Sequence, residues 1–142
     1  MKITIKQIQG LSFVAKGDTN HWVSIDGPKE FFGSAAASRP MELLLIALGS
    51  CTGSDVVSIL RKKKTPIDSL EIIVEAEKRE QIPKVFTNIH VEYIFYGSDL
   101  KTNDLKRAID LSQNKYCPIS AMLSETCDIT HSYQIKEKKG ED

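Results

Sequence analysis

The sequence predicts an α+β fold in which antiparallel sheets wrap around a long buried central helix and a second helix. Three observations support this fold class. An apolar run at residues 43–48 lies between Pro40 and Pro66, strand-like alternation occurs on both sides of these prolines, and an amphipathic segment follows near residue 102. Packing the sheets against the helices would bury these apolar faces together.

The central helix is predicted over residues 39–64, RPMELLLIALGSCTGSDVVSILRKKK. Pro40 suits the first turn because its missing N–H is not needed there, and the lysines at 62–64 suit a helix C-terminus. Residues 43–48 are all apolar, as in a helix that is buried on every side. We expect the segment to be too short, and too interrupted by the polar residues at 50, 52, 54 and 55, to span a bilayer.

Period-two alternation predicts the strands on either side of this helix. Before it, three short strands form an expected antiparallel meander at residues 2–9, 11–15 and 21–25. After it, two long strands are expected to form a hairpin through residues 79–83, at 69–77 and 86–96.

The second helix is expected to be capped by Thr102 or Asn103 and to end near Tyr116. Cys117 precedes Pro118, and a residue before proline avoids helical geometry, so this cysteine marks a break. A short helical turn and a closing strand follow, at 119–124 and 127–135. The charged tail at 136–142 is expected to fray.

The composition limits the possible functions. The 142 residues predict a single domain at 1–142, and Lys+Arg (19) equals Asp+Glu (19), so no net charge favours nucleic acid or an anionic membrane. The N-terminus MKITIKQIQG has no apolar core of a signal peptide, and three cysteines without CxxC spacing argue against a secreted disulfide framework. We therefore expect a cytoplasmic protein with reduced thiols.

The three cysteines are the candidate reactive groups, although a free cysteine is often inert packing. Cys127 fits packing, because it shares a strand face with isoleucines. Cys51 has small and polar neighbours that leave space around its sulfur, and Cys117 lies at a helix break where a side chain can move. Two thiols on different elements could form a nucleophile and resolving pair.

Other catalytic or cofactor motifs are missing from the sequence. The histidines at 21, 90 and 131 lack metal-ligand spacing, and no nucleotide-binding loop or GxSxG elbow occurs. We expect no metal and no cofactor.

Two segments resemble the OsmC/Ohr family: residues 39–64 resemble its central-helix motif, and NKYCPISAML at residues 114–123 resembles its second cysteine motif. The resemblance extends over nearly the whole chain and is closest to the short OsmC-like branch. It implies an intertwined homodimer with its sites at the subunit interface. It also implies reduction of organic hydroperoxides by thiols, without metal or flavin.

The resemblance assigns Cys51 as the peroxidatic cysteine and Cys117 as the resolving one. Cys51 would attack the peroxide as a thiolate and become a sulfenic acid, and Cys117 would then condense with it to a disulfide. An external dithiol, of which a lipoyl group is one kind, would restore both thiols.

A cation must stabilise such a thiolate, and here the sequence departs from the family pattern. Better-known members use an arginine from the N-terminal strands, held by a glutamate just after the motif's proline. This chain has Met41 at that position, Glu42 one place later, and no arginine before Arg39. Arg39 is therefore our predicted cation, with Glu42 beside it.

Glu42 and Cys51 would lie roughly 13–14 Å apart along an unbroken helix and on opposite faces. Their contact would need the partner subunit or a helix break near Gly49.

Three functions remain open at this point. The first is a thiol peroxidase acting on organic hydroperoxides. The second is a redox-sensing or ligand-binding dimer that uses the same cysteines without significant turnover. The third is a dimer whose cysteines only pack.

Overall fold

The computed structural model describes residues 1–137, and the chain divides into two compact units, Met1–Leu45 and Ile46–Asp142. Each unit carries a three-stranded sheet, and the predicted α+β fold class is confirmed. That the whole chain is one domain stays a prediction. The charged tail was expected to fray. Its residues from Lys138 onward lie outside the part of the chain that the structure describes.

The N-terminal unit contains the predicted antiparallel meander. Its strands follow one another in the sheet in chain order, as β1 (Thr4–Gln9), β2 (Ser12–Lys16) and β3 (Trp22–Ile25). The buried carboxylate of Asp26 then accepts backbone N–H bonds from Gly27, Ser34 and Ala36, at 2.7, 3.2 and 3.1 Å. These donors hold the pKa of Asp26 below its usual range, and the bonds fold the loop that leads to the helix. That loop also contains a short 3-10 helix, Lys29–Phe31.

The central helix α1 spans Pro40–Lys62 and begins at the predicted proline. Glu42 Oε2 accepts a hydrogen bond from the backbone N–H of Arg39 at 2.9 Å. Since Glu42 is the third residue of the helix, it satisfies an N–H that the helix leaves unbonded, as the glutamate of a capping box does. The helix runs without interruption through Gly49, so it has no break there.

The burial and length of α1 differ from the sequence prediction. In the single chain one face is buried, including Leu48, Val56 and Leu60, whereas Ile46 is 55% exposed and Val57 43% exposed. The cause is that the sheet and helices of one chain cover a single face of α1.

The expectation that the segment is too short to span a bilayer is also wrong. With 23 residues it is long and apolar enough, a criterion that core helices of soluble proteins meet as well.

Two glycines let α1 lie close to the second sheet. A Cβ atom at Gly53 would lie 2.7 Å from Ile72 Cδ1, and one at Gly49 would lie 3.1 Å from Val74 Cγ2. Both distances are shorter than ordinary van der Waals contact, so a larger residue at either position would force the Ile72 or Val74 side chain to shift. The two glycines, one turn apart, therefore allow the helix to lie close to strand β4 (Ser69–Lys78).

The second sheet contains β4 (Ser69–Lys78), β5 (Phe86–Tyr96) and β6 (Asp128–Lys136), with β5 in the middle. Alternate residues of β5 are buried, as predicted: Ile89, Val91, Tyr93 and Phe95. One pairing differs from the expected antiparallel sheets, because β6 runs parallel to β5. A helical connection between the two strands carries the chain back to the start of β5, and such a crossover produces a parallel pair.

This connection contains α2 (Thr102–Leu111), a π-helical turn (Ser112–Tyr116) and α3 (Pro118–Leu123). The predicted cap of α2 is wrong, because the N-cap position belongs to Lys101, whose side chain makes no capping bond. The π-helical turn ends at Cys117, where the backbone becomes extended (φ −73°, ψ 106°). The proline that follows accounts for this change, so the predicted break is confirmed.

The cap at the start of α1 can be tested with two substitutions. Glu42→Ala should lower the free energy of unfolding by about 0.5–1 kcal/mol, because the Arg39 N–H loses its partner. Glu42→Gln should lose little, since an amide oxygen can accept the same bond. Urea unfolding of both variants measures the difference. Equal losses in the two variants would show that the charge of Glu42, and not its bond to Arg39, stabilises the protein.

Candidate active site

The structure brings Cys51 and Cys117 together, although they are 66 positions apart in the sequence. Their sulfur atoms and a carboxylate oxygen of Asp55 all lie within 4.8 Å of one another. Cys51 and Asp55 lie on the same face of α1 because they are four residues apart in a helix. Both cysteines are free thiols; Cys51 is half-buried and Cys117 is 2% exposed.

Cys117 is held at this position by its backbone. It is the N-cap residue of α3, and its Sγ accepts a hydrogen bond from the backbone N–H of Ser120 at 3.3 Å. Its own N–H donates to the Ser112 carbonyl at 2.9 Å. The turn between α2 and α3 therefore fixes this sulfur beside α1.

A chain of buried hydroxyl groups ends on Asp55. Tyr93 Oη lies 2.5 Å from Thr52 Oγ1, Thr52 Oγ1 lies 2.8 Å from Ser112 Oγ, and Ser112 Oγ lies 3.0 Å from Asp55 Oδ2. Because a carboxylate only accepts, Ser112 donates to Asp55, Thr52 donates to Ser112, and Tyr93 donates to Thr52. Burial raises the pKa of Tyr93, so this hydroxyl keeps the proton that it donates.

Gln113 connects this chain to the Cys117 turn. Its Nε2 donates to Tyr93 Oη at 2.6 Å, and its Oε1 accepts from Ser120 Oγ at 3.2 Å. Ser120 is the residue whose N–H bonds the Cys117 sulfur. One polar network thus links β5, α1 and the turn that carries Cys117, and so fixes the separation of the two sulfurs.

The surroundings of Cys51 favour a neutral thiol. Burial, the neighbouring Cys117 thiol and the negative charge of Asp55 raise the pKa of Cys51 to about 11, from an ordinary 9.0. The Ile119 N–H lowers the pKa of Cys51, but less than burial raises it. Within residues 1–137, no positively charged side chain is among the principal groups that shift this pKa. A reactive cysteine normally needs such a cation.

A cavity of about 400 Å³ opens beside Cys117 and provides space for a small substrate. Gln113, Lys115 and Glu125 are among its lining residues. The cavity is therefore lined by Gln113 of the polar network and by Cys117, the residue that carries the second sulfur.

The other predicted site residues have different surroundings. Arg39 and Glu42 belong to the N-terminal unit, where the Glu42 side chain caps α1 through the backbone of Arg39. Their role toward Cys51 stays a prediction. Cys127 is buried and its Sγ donates to the Leu123 carbonyl at 3.1 Å, consistent with the packing role expected for it.

The sequence analysis did not identify Asp55, or the polar residues of the network, as part of the site. One sequence feature could have identified Asp55, namely its position four residues after Cys51 on a predicted helix. No sequence feature identifies its partners from β5 and the π-helical turn, because only the folded chain brings them to α1.

The fold and the cysteine pair define a class: an α+β protein whose central helix and second helical segment place two free thiols side by side. Residues 33–132 match the family model of OsmC-like proteins. The chain therefore belongs to the OsmC-like family, as the two cysteine motifs indicated.

Relatives from several bacteria share this architecture. Protein YhfA of Escherichia coli K12 is 39% identical over 135 residues, which are 95% of this chain and 98% of the relative. The crystal structure of a hypothetical protein from Aquifex aeolicus has a TM-score of 0.84 at 29% identity, covering 97% of each chain. An organic hydroperoxide resistance protein from Legionella pneumophila has a TM-score of 0.68 at 17% identity, covering 94% of this chain and 97% of that protein.

The raised pKa of Cys51 predicts a pH-dependent reactivity. For the single chain in metal-free buffer, alkylation of Cys51 should accelerate about tenfold per pH unit from pH 7 to pH 10, because only the thiolate reacts. Iodoacetamide labelling followed by peptide mass spectrometry measures the rate at each cysteine.

A rate that levels off near pH 7 would contradict this prediction. It would mean that a positive group lowers the pKa of Cys51, which the single chain does not explain. Cys127 serves as the internal control, because its buried thiol should label slowly at every pH.

Proposed function

We propose that this protein reduces organic hydroperoxides to alcohols with Cys51 as the peroxidatic cysteine and Cys117 as the resolving cysteine. The single observation that supports this proposal best is the approach of the two sulfurs to within 4.8 Å on different elements of one unit. Membership in the OsmC-like family and the fold shared with the Legionella organic hydroperoxide resistance protein agree with it.

The reaction would proceed in three steps. The Cys51 thiolate attacks the O–O bond of the hydroperoxide, which leaves as an alcohol after taking up a proton, and Cys51 becomes a sulfenic acid. The Cys117 sulfur then attacks the Cys51 sulfur, so that water is released and a disulfide forms. An external dithiol reduces this disulfide and leaves as its own disulfide.

The residues of this chain would assist the reaction mainly by positioning the two sulfurs, and less by stabilising the charge of the thiolate. The Gln113 network holds the Cys117 turn beside α1, so the resolving sulfur is already close when the sulfenic acid forms. The cavity beside Cys117 would be the entrance for the hydroperoxide, although Cys51 itself is not among its lining residues. A cation is still required at Cys51, and Arg39 remains the candidate from the sequence, with Glu42 beside it.

The proposal includes a homodimer in the cytoplasm, with the sites at the subunit interface. The exposed apolar side chains of Ile46 and Val57 on α1 support this part, since a second copy of the chain would remove them from water.

The peroxidase proposal predicts distinct effects for the three cysteines. Cys51→Ser should abolish the reduction of an alkyl hydroperoxide by a lipoyl-type dithiol, because the nucleophile is lost. Cys117→Ser should stop turnover after one sulfenic acid has formed per chain. Consumption of hydroperoxide and the mass of the intact protein measure both effects.

Cys127→Ser is the matched control, since it removes a thiol that lies outside the cluster of Cys51, Asp55 and Cys117. It should retain the rate of the unmodified protein. Unchanged turnover in Cys51→Ser would refute the peroxidase proposal.

A redox sensor is the second candidate, and two observations favour it. The raised pKa of Cys51 implies slow oxidation, and Cys117 also caps α3. A disulfide would change the sulfur that accepts the Ser120 N–H, and so would alter the start of that helix.

The sensor predicts a structural response without catalysis. Formation of the Cys51–Cys117 disulfide should raise amide hydrogen exchange in residues 117–123 by about tenfold or more while β5 stays protected. Exchange mass spectrometry of reduced and oxidised protein measures this. Identical exchange in both forms, together with repeated turnover of hydroperoxide, would exclude the sensor in favour of the peroxidase.

A further inference from the structure

Three potential metal ligands surround one point in the C-terminal unit. Sγ of Cys51, Sγ of Cys117 and a carboxylate oxygen of Asp55 lie within 4.8 Å of one another. We infer that the reduced cysteine pair and Asp55 form a Zn²⁺ site. This inference does not rest on the proposed function, because it needs only the two reduced thiols.

The ligand geometry is close to that of a tetrahedral zinc site. Zn–S bonds of about 2.3 Å and Zn–O bonds of about 2.0–2.2 Å place neighbouring ligand atoms about 3.5–3.8 Å apart. Separations of 4.8 Å or less require the ligand atoms to approach by at most about 1.3 Å, which small side-chain rotations can supply. Three protein ligands leave the fourth position to water, as in zinc sites that keep an open position.

The kinds of ligand favour Zn²⁺ over other cations. Two thiolates exclude Mg²⁺ and Ca²⁺, which prefer oxygen ligands, and a carboxylate is a poor ligand for Cu⁺. Zn²⁺ accepts both sulfur and oxygen.

The outer partners of the ligands are already in place. Ser112 Oγ donates to Asp55 Oδ2 at 3.0 Å, and it is itself held by Thr52 at 2.8 Å. The Ser120 N–H donates to the Cys117 sulfur at 3.3 Å. Such second bonds orient metal ligands and raise metal affinity, and here they come from a buried network that also crosses to Tyr93.

The charges around the site favour a cation of charge two. Asp55 faces the two sulfurs, and within residues 1–137 no cationic side chain is among the groups acting principally on Cys51. When Zn²⁺ binds, each thiol releases one proton to solvent and its sulfur bonds the metal. The three anionic ligands then surround two positive charges, and both sulfurs are withheld from an oxidant.

Zinc binding can be measured directly on the reduced, untagged protein by competition with a chromophoric chelator, without any peroxide. We expect one Zn²⁺ per chain. Cys51→Ser and Cys117→Ser should each weaken binding by about a hundredfold or more, and Asp55→Asn by about ten- to a hundredfold. Cys127→Ser is the matched control and should bind as the unmodified protein does. Failure to bind at micromolar Zn²⁺, or equal affinity in Cys51→Ser, would overturn the site.

A second measurement avoids substitutions that could disturb folding. Co²⁺ added to the reduced protein should produce thiolate-to-cobalt charge-transfer absorption, and the same protein with its Cys51–Cys117 disulfide should not. Equal absorption in both forms would overturn the site. Binding without peroxidase activity would refute only the proposed function, and peroxidase activity without binding would refute only the zinc site.

Discussion

The hydrogen-bonded chain from Tyr93 through Thr52 and Ser112 to Asp55 is the constraint on which the rest of the site depends. Tyr93, Thr52 and Ser112 are fully buried, where an unpaired hydroxyl would cost about 1–3 kcal/mol, and Asp55 is half-buried. The four groups come from β5, α1 and the π-helical turn, so these elements can pack only in the one register that satisfies all of them. That register places Cys117 beside Cys51.

Much of the fold could be predicted because its signals are local. Pro40 and the apolar run located α1, Pro118 located the break at Cys117, and alternation located every strand within a few residues. The parallel direction of β6 could not be predicted from the sequence, because a strand has the same alternation of residues in either direction. The direction depends on the path of the connection between β5 and β6. The cap of α2 at Lys101 was missed because Thr102 and Asn103 are favourable capping residues that the chain uses inside the helix instead.

The site was predictable only in part, for a similar reason. The two cysteines were found through motifs, whereas the bonds that position them join residues 41 and 60 positions apart. Thr52, Ser112 and Gln113 are common polar residues, and no local pattern distinguishes a buried network from a solvated surface. Glu42 shows the opposite difficulty. Its position beside the helix start suggested a role in activating a thiol, while its observed bond satisfies the backbone of Arg39.

Two features of the single chain point in the same direction. Cys51 has a raised pKa with no cation among its principal neighbours in residues 1–137, and Ile46 and Val57 expose apolar surface on the helix that carries it. A second copy of the chain packed on α1 would remove this surface from water. It could also bring a positive side chain to the open side of Cys51, where exclusion of water would strengthen the attraction between that charge and a thiolate. In the proposed homodimer, therefore, stability and reactivity would depend on the same contact. A bound Zn²⁺ would supply positive charge to the same two sulfurs without a partner subunit. The cysteine pair would then be stabilised by the metal ion in the zinc-bound form and by a side chain of the partner in the peroxide-reducing form.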